Sequence, residues 1–133
     1  MFRARLGRFT RAWPWPRINV RMEQHIATEP VIDLAHLRRM TTGDAALERE
    51  VLSLFYAHSA LLIERMHGSD AAAVPGLAHT LKGSALGIGA NEVARAADAL
   101  QRVPADKAAM SRLDRALEEA RAAIGVMLAR PGD

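Results

Sequence analysis

The 133-residue chain is expected to be all-α: an up-and-down antiparallel four-helix bundle with a short additional N-terminal helix. Three observations lead there. Apolar residues recur at spacings of three and four along the longer segments, and nowhere alternate as in a strand. Alanine is dense in the same segments, at Ala71 to Ala73, Ala94, Ala96, Ala97, Ala99, Ala122 and Ala123, where it favours helix and lets helices approach closely. Short breaks such as Gly68-Ser69-Asp70 and Pro104 separate them, as brief connections between antiparallel neighbours require.

Residues 1–29 stand apart from this pattern. Residues 1–22 hold six arginines (Arg3, Arg5, Arg8, Arg11, Arg17 and Arg21) and no acid, and Trp13-Pro14-Trp15-Pro16 interrupts any helix. Residues 23–133 carry 12 basic against 15 acidic side chains, a net of −3, so the formal charge of +3 belongs to the tail. The remainder shows no sign of a phosphate-tracking groove, and no nucleic-acid partner is expected. A nucleic-acid or membrane-surface arm built on Phe2, Phe9, Trp13 and Trp15 is one reading of the tail, and a transit or secretory peptide is another. The preferred reading is a disordered extension, or a start placed too early, because composition changes abruptly at Met22. The expected folded domain is residues 30–133, long enough for one core.

Within that domain, Asp33 can cap a short helix through Leu34, Leu37 and Met40, ended by Thr41-Thr42-Gly43-Asp44. A long helix should follow from about Asp44 to His67, with Leu47, Val51, Leu54, Phe55, Leu61 and Leu62 as its core stripe. His58 falls in that stripe and is expected to be a partly buried structural histidine. His67 is placed near a helix end, where a cation complements the dipole. The next helix is read over 70–88 and closed by Gly87 to Gly89. After it, Asn91 to about Arg102 turns Val93, Ala96, Ala97 and Leu100 inward. The last helix, from about Ala105 to Ala129, repeats Ala109, Leu113, Leu117, Ala120, Ile124 and Met127.

The segment over 70–88 is unlike the others. At about 100° per residue, Val74, Leu77, Ala78, Leu81, Ala85 and Ile88 form its core stripe, and His79 lies roughly 160° from Leu81, facing water. Its neighbours are Gly76 at i−3 and Gly83 at i+4, with Lys82 and Leu86 on the flanks. Each glycine inside a helix costs roughly 1 kcal/mol relative to alanine, so two beside one outward imidazole need a reason. That reason is access: a second protein can bring a reactive group to the ring, and Lys82 supplies a point charge beside whatever is attached.

His79-Thr80-Leu81-Lys82-Gly83-Ser84, with Gly87, Gly89-Ala90 and the Ala97 to Leu100 run, resembles the histidine phosphotransfer (HPt) domains of bacterial phosphorelays. Upstream, Ile32-Asp33-Leu34 and Leu52 to Phe55 extend the likeness, which covers about residues 30–130. The resemblance implies that His79 is phosphorylated, through its Nε2, with Lys82 offsetting phosphate charge and Gly83 giving access. It further implies transfer from an aspartyl phosphate of a response-regulator receiver domain to another receiver, with receivers or a hybrid histidine kinase as partners. Gly76, Leu77, Ser84 and Leu86 are the expected partner-binding residues. Mg²⁺ should come from the receiver, with no cofactor of the chain's own, and a cytoplasmic monomer that carries phosphoryl groups without ATP-dependent kinase activity is expected. The alternative is a helical-bundle docking module that is never phosphorylated.

Other chemistries fit poorly. The five histidines lack ligand partners at metal-binding spacing. Lys82-Gly83-Ser84 reverses the order of a phosphate loop, the glycines follow no strand, and an outward histidine lacks the shelter of a Ser-His-Asp device. There is no cysteine and no run of 18 apolar residues, so neither a disulfide framework nor a membrane span is expected. An imidazole, whose unperturbed pKa is about 6.5, is a competent nucleophile near neutrality.

Overall fold

The computed structural model describes residues 29–130, and the expectations for residues 1–28 lie outside it. Five helices make up this part: α1 (Leu34–Met40), α2 (Ala45–Gly68), α3 (Val74–Ile88), α4 (Asn91–Arg102) and α5 (Lys107–Ala129). No described residue lies in a strand. Helices α2 to α5 pack in a closed ring, each against the next and α5 back on α2, while α1 rests on α3. No described helix is long and apolar enough to cross a membrane.

Local chemistry sets the starts of the helices. Asp33 accepts from the His36 amide at 3.1 Å, Asp44 from that of Leu47 at 3.1 Å, and Asp106 from that of Ala108 at 2.9 Å. Each satisfies a donor that the first turn of a helix leaves open. Helix α3 has no such cap. It begins at Val74 rather than residue 70, after a turn over residues 71–73, with Pro75 in its first turn, where the missing N–H costs nothing.

Gly89 ends α3 in the left-handed region at φ +80°. Its N–H donates to the Leu86 carbonyl at 3.3 Å and that of Ala90 to the Ala85 carbonyl at 2.9 Å, which satisfies carbonyls at the end of the helix. The Asp33 amide donates to the Gly89 carbonyl at 2.9 Å, and a Cβ on Gly89 would stand 2.8 Å from the Asp33 carbonyl oxygen. Only glycine serves there. One turn thus closes α3, opens α4 and fastens α1.

Helices α2 and α5 run antiparallel and are tied at both ends. Near the start of α2, Arg49 donates to the carbonyls of Leu128 at 2.7 Å, Arg130 at 3.2 Å and Met127 at 3.4 Å. Its guanidinium meets carbonyls at the C-terminal end of α5, the negative end of the helix dipole. At the other end His67, in the last turn of α2, lies 2.9 Å from Asp114. Midway, the Arg121 guanidinium sits 3.9 Å over the Tyr56 ring.

The core follows the expected faces of α3, α4 and α5, with Ala78, Ala85, Ala96, Ala97 and Ala120 fully buried where the helices approach closely. Helix α2 departs from expectation. Phe55 and Leu62 are buried together with Leu52, Ser59 and Met66, whereas Leu47, Leu54 and Leu61 are 39%, 64% and 46% exposed. The helix carries two apolar lines, and period alone does not say which one is covered. Ser59 hides the true phase, because its hydroxyl donates to the Tyr56 carbonyl of its own helix and so tolerates complete burial. His58 moves with the corrected phase: it is exposed rather than partly buried.

Candidate functional site

Helix α3 meets its neighbours through Val74, Ala78, Leu81, Ala85 and Ile88, all buried. His79 is exposed on the other side. Gly76 and Gly83 are exposed around it, and a Cβ built on Gly76, Gly83 or Gly87 would meet nothing within 4 Å. No packing contact among the described residues therefore calls for glycine at these places. Three of the fifteen residues of α3 are glycines that weaken the helix and open only toward solvent.

The two flanks of His79 differ in character. Around the α3 wheel, Gly83, Gly87 and Ser84 follow His79 at roughly 40°, 80° and 140°. This side descends into an open groove of about 650 Å³, walled by Ser84, Gly87 and Ile88 of α3 and by Val51, Leu54, His58 and Leu61 of α2, with Met40 and Leu47 at one end. The second apolar line of α2 thus finds its place as the far wall of a groove whose α3 side begins at Ser84, five residues on from the imidazole.

Lys82 and Leu86 lie on the opposite flank, in a smaller hollow of about 430 Å³ shared with Arg95, Asp98, Arg102 and Arg112. The Lys82 ammonium donates to Asp98 Oδ1 at 2.9 Å, and Asp98 Oδ2 accepts from Arg102. The hydrogen bond from Lys82 is the main reason that the Asp98 carboxyl sits below its ordinary value; partial desolvation opposes it, and the charges of Arg102 and Lys82 assist. Beside it, Glu92 pairs with two residues that line the hollow, Arg112 at 3.1 Å and Arg95 at 3.2 Å. Desolvation pushes its carboxyl up, but the two arginines outweigh it and leave the value lowered.

The residues singled out in the sequence thus occupy different surroundings. His79, Gly76, Gly83 and Leu86 are exposed on α3, with Leu86 on the charged flank and Ser84 on the groove. Leu77 is half-buried and packs against the core. Lys82 is already paired. Sequence reading missed its partners Asp98 and Arg102, and missed the groove wall on α2. A signal existed for the former: Asp98 and Arg102 stand at i and i+4 in the order that favours an ion pair. Lys82 and Asp98 also lie about two helical turns either side of Gly89.

No group of three or more histidine, cysteine or acidic side chains able to hold a metal ion occurs among the described residues. The Thr80 hydroxyl donates to the Gly76 carbonyl at 3.1 Å, so it serves the helix backbone. What remains is a nucleophilic imidazole with an apolar wall on one side, cations on the other and bare backbone between. A family model described as Hpt domain matches residues 50–123, a span holding α3, α4 and most of α2 and α5. No curated protein and no solved structure matches the chain.

Proposed function

We propose, from the premise that this chain belongs to the Hpt domain family, that His79 accepts a phosphoryl group from the aspartyl phosphate of one receiver domain and yields it to another. Hpt domains are phosphocarriers of phosphorelay signalling, where they meet receivers and kinases. We assign the role to the unit from residue 30 onward and place the carrier in the cytoplasm as a monomer.

The step itself is simple. A lone pair on one ring nitrogen of His79 attacks phosphorus in line; an N–P bond forms as the P–O bond to the aspartate breaks, and the carboxylate departs with the electron pair. The proton on the other ring nitrogen stays in place, and the reverse sequence delivers the group to the second receiver. Catalysis in such a reaction is positioning and charge neutralisation. Gly76 and Gly83 admit the donor, and Lys82 answers charge on the equatorial oxygens. The groove walled by Leu54, Leu61, Ser84 and Gly87 seats an apolar face of the receiver, with the half-buried Leu77 and, from the other flank, Leu86 adding to the contact.

One observation carries this reading: glycines that cost helix stability flank an exposed imidazole at places where an added Cβ would meet nothing within 4 Å. Incubation with receivers charged from acetyl phosphate should place acid-labile, base-stable phosphate on the wild type and none on His79→Gln. Label surviving in that variant would remove His79 from the mechanism.

A further inference from the structure

The Lys82–Asp98–Arg102 cluster has one carboxylate for two cations, on the helix face next to the reactive imidazole. Lys82 lies one turn from His79 on α3, and its ammonium is bound to Asp98 of α4 at 2.9 Å. Asp98 uses its other oxygen for Arg102, four residues on along the same helix. Exposure grades the three: the side chains of Asp98 and Lys82 are 27% and 34% exposed, that of Arg102 74%. Arg95 and Arg112 also line the hollow and pair with Glu92.

We propose that Asp98 is a positioning residue that holds the Lys82 ammonium while His79 is unmodified and gives it up to the phosphoryl group, keeping Arg102 as its own counter-ion. This rests on His79 being the phosphoryl acceptor. Charge makes the exchange workable. Before phosphorylation, Lys82 and Arg102 share one anion. A phosphoryl group adds up to two negative charges within reach of a lysine at i+3, whose four-carbon stem swings between neighbouring acceptors. Once Lys82 turns to it, Arg102 still neutralises Asp98, so no carboxylate stands unpaired beside the new anion. With lysine and aspartate alone, the same move would leave two anions facing each other.

The exchange sets how firmly the phosphoryl group is held. Lys82 must break its bond to Asp98 before it can stabilise the phosphorylated form, and that cost lowers the occupancy of phosphohistidine. A carrier profits from this, because a group bound too firmly is not passed on. Asp98 thus acts on the reaction only through Lys82, which separates this role from that of a strut joining α3 to α4 and from that of a charge repelling phosphate through space.

The test uses the full chain with potassium phosphoramidate as phosphodonor, so that no receiver is needed. The ring nitrogen of His79 displaces ammonia from phosphorus: one N–P bond forms, the other breaks, and ammonia leaves with the electron pair. The ratio of phosphohistidine to histidine is read by ³¹P NMR at a fixed ratio of phosphoramidate to ammonium. Asp98→Asn should raise that ratio about fivefold, the scale of a partly exposed charge pair, and should change nothing in a Lys82→Ala background. An unchanged ratio in the single variant overturns the proposal, as does a rise that persists without Lys82. Wild-type protein that takes no label at His79 would instead defeat the function assigned above. Lys82 and Lys107 are the only lysines, so ¹⁵Nζ-lysine spectra of the unmutated protein give a second reading that does not depend on how the variants fold. The Lys82 signal should shift on phosphorylation while that of Lys107 stays; an unmoved Lys82 signal overturns the handover.

Discussion

Replacing Gly83 should make the protein more stable and less able to transfer. Gly83 has nine residues of α3 before it and five after, and a Cβ there meets nothing within 4 Å. Gly83→Ala therefore introduces no clash and collects the helix preference of alanine over glycine, about 0.5–1 kcal/mol. For a domain of about 100 residues this corresponds to a melting point higher by roughly 2–8 °C, read from ellipticity at 222 nm. Gly83→Leu should also fold, since its side chain projects into water, but the added bulk stands about 40° around the helix from His79. Phosphoryl transfer from a charged receiver should slow on the order of 100-fold, the usual penalty for displacing reacting groups by about 1 Å. Phosphoramidate labelling, which needs no docked protein, should suffer far less. A leucine variant that accepts phosphate from receivers at the wild-type rate would refute access as the reason for the glycine. An alanine variant that melts lower would show that the position is packed rather than open.

Three further outcomes are expected. Leu54→Asp and Leu61→Asp, on the exposed line of α2, should weaken receiver binding at least tenfold while shifting stability by no more than about 0.5 kcal/mol, whereas Leu62→Ala, in the core, should cost about 2–5 kcal/mol; titration calorimetry and urea melts separate the two. Arg49→Ala removes three hydrogen bonds to the end of α5, and hydrogen exchange should speed up over the last turn of α5 and the first of α2 while the α3–α4 pair stays protected. Glu92 and Asp98 have carboxyls lowered by folding from ordinary values of 4.5 and 3.8. Their contribution is complete above those values and is lost as pH falls through the lower folded-state values, because the unfolded chain then binds the extra protons. The melting temperature should fall with acidification below about 4.5, and less steeply in Glu92→Gln.

Much of the fold was legible because α3, α4 and α5 each carry a single apolar stripe. Leu81, Leu100, Leu113 and Ile124 lie where that period puts them, with no exposed surface. The exposure of His79 was legible for the same reason, as the far side of a well-defined stripe. Helix α2 was read out of phase because it serves two surfaces, one against α3 and α5 and one along the groove, and apolar residues look alike on both. The partner of Lys82 depends on how α3 and α4 fold back on each other at Gly89, a relation that no single-helix pattern encodes. The start of α3 was misplaced because Ala71 to Ala73 favour helix yet form a turn before Pro75.

The imidazole and the packed stripe occupy opposite sides of α3. A group placed on His79 consequently enters water and asks nothing of the interior: no buried side chain must repack and no helix must shift, and only the surface Lys82 changes partner. With His79 as the carrier proposed above, the molecule keeps its message in one covalent bond rather than in its shape. A reader cannot sense that message at a distance and has to collect it in person, so traffic through the relay is set by encounters between proteins.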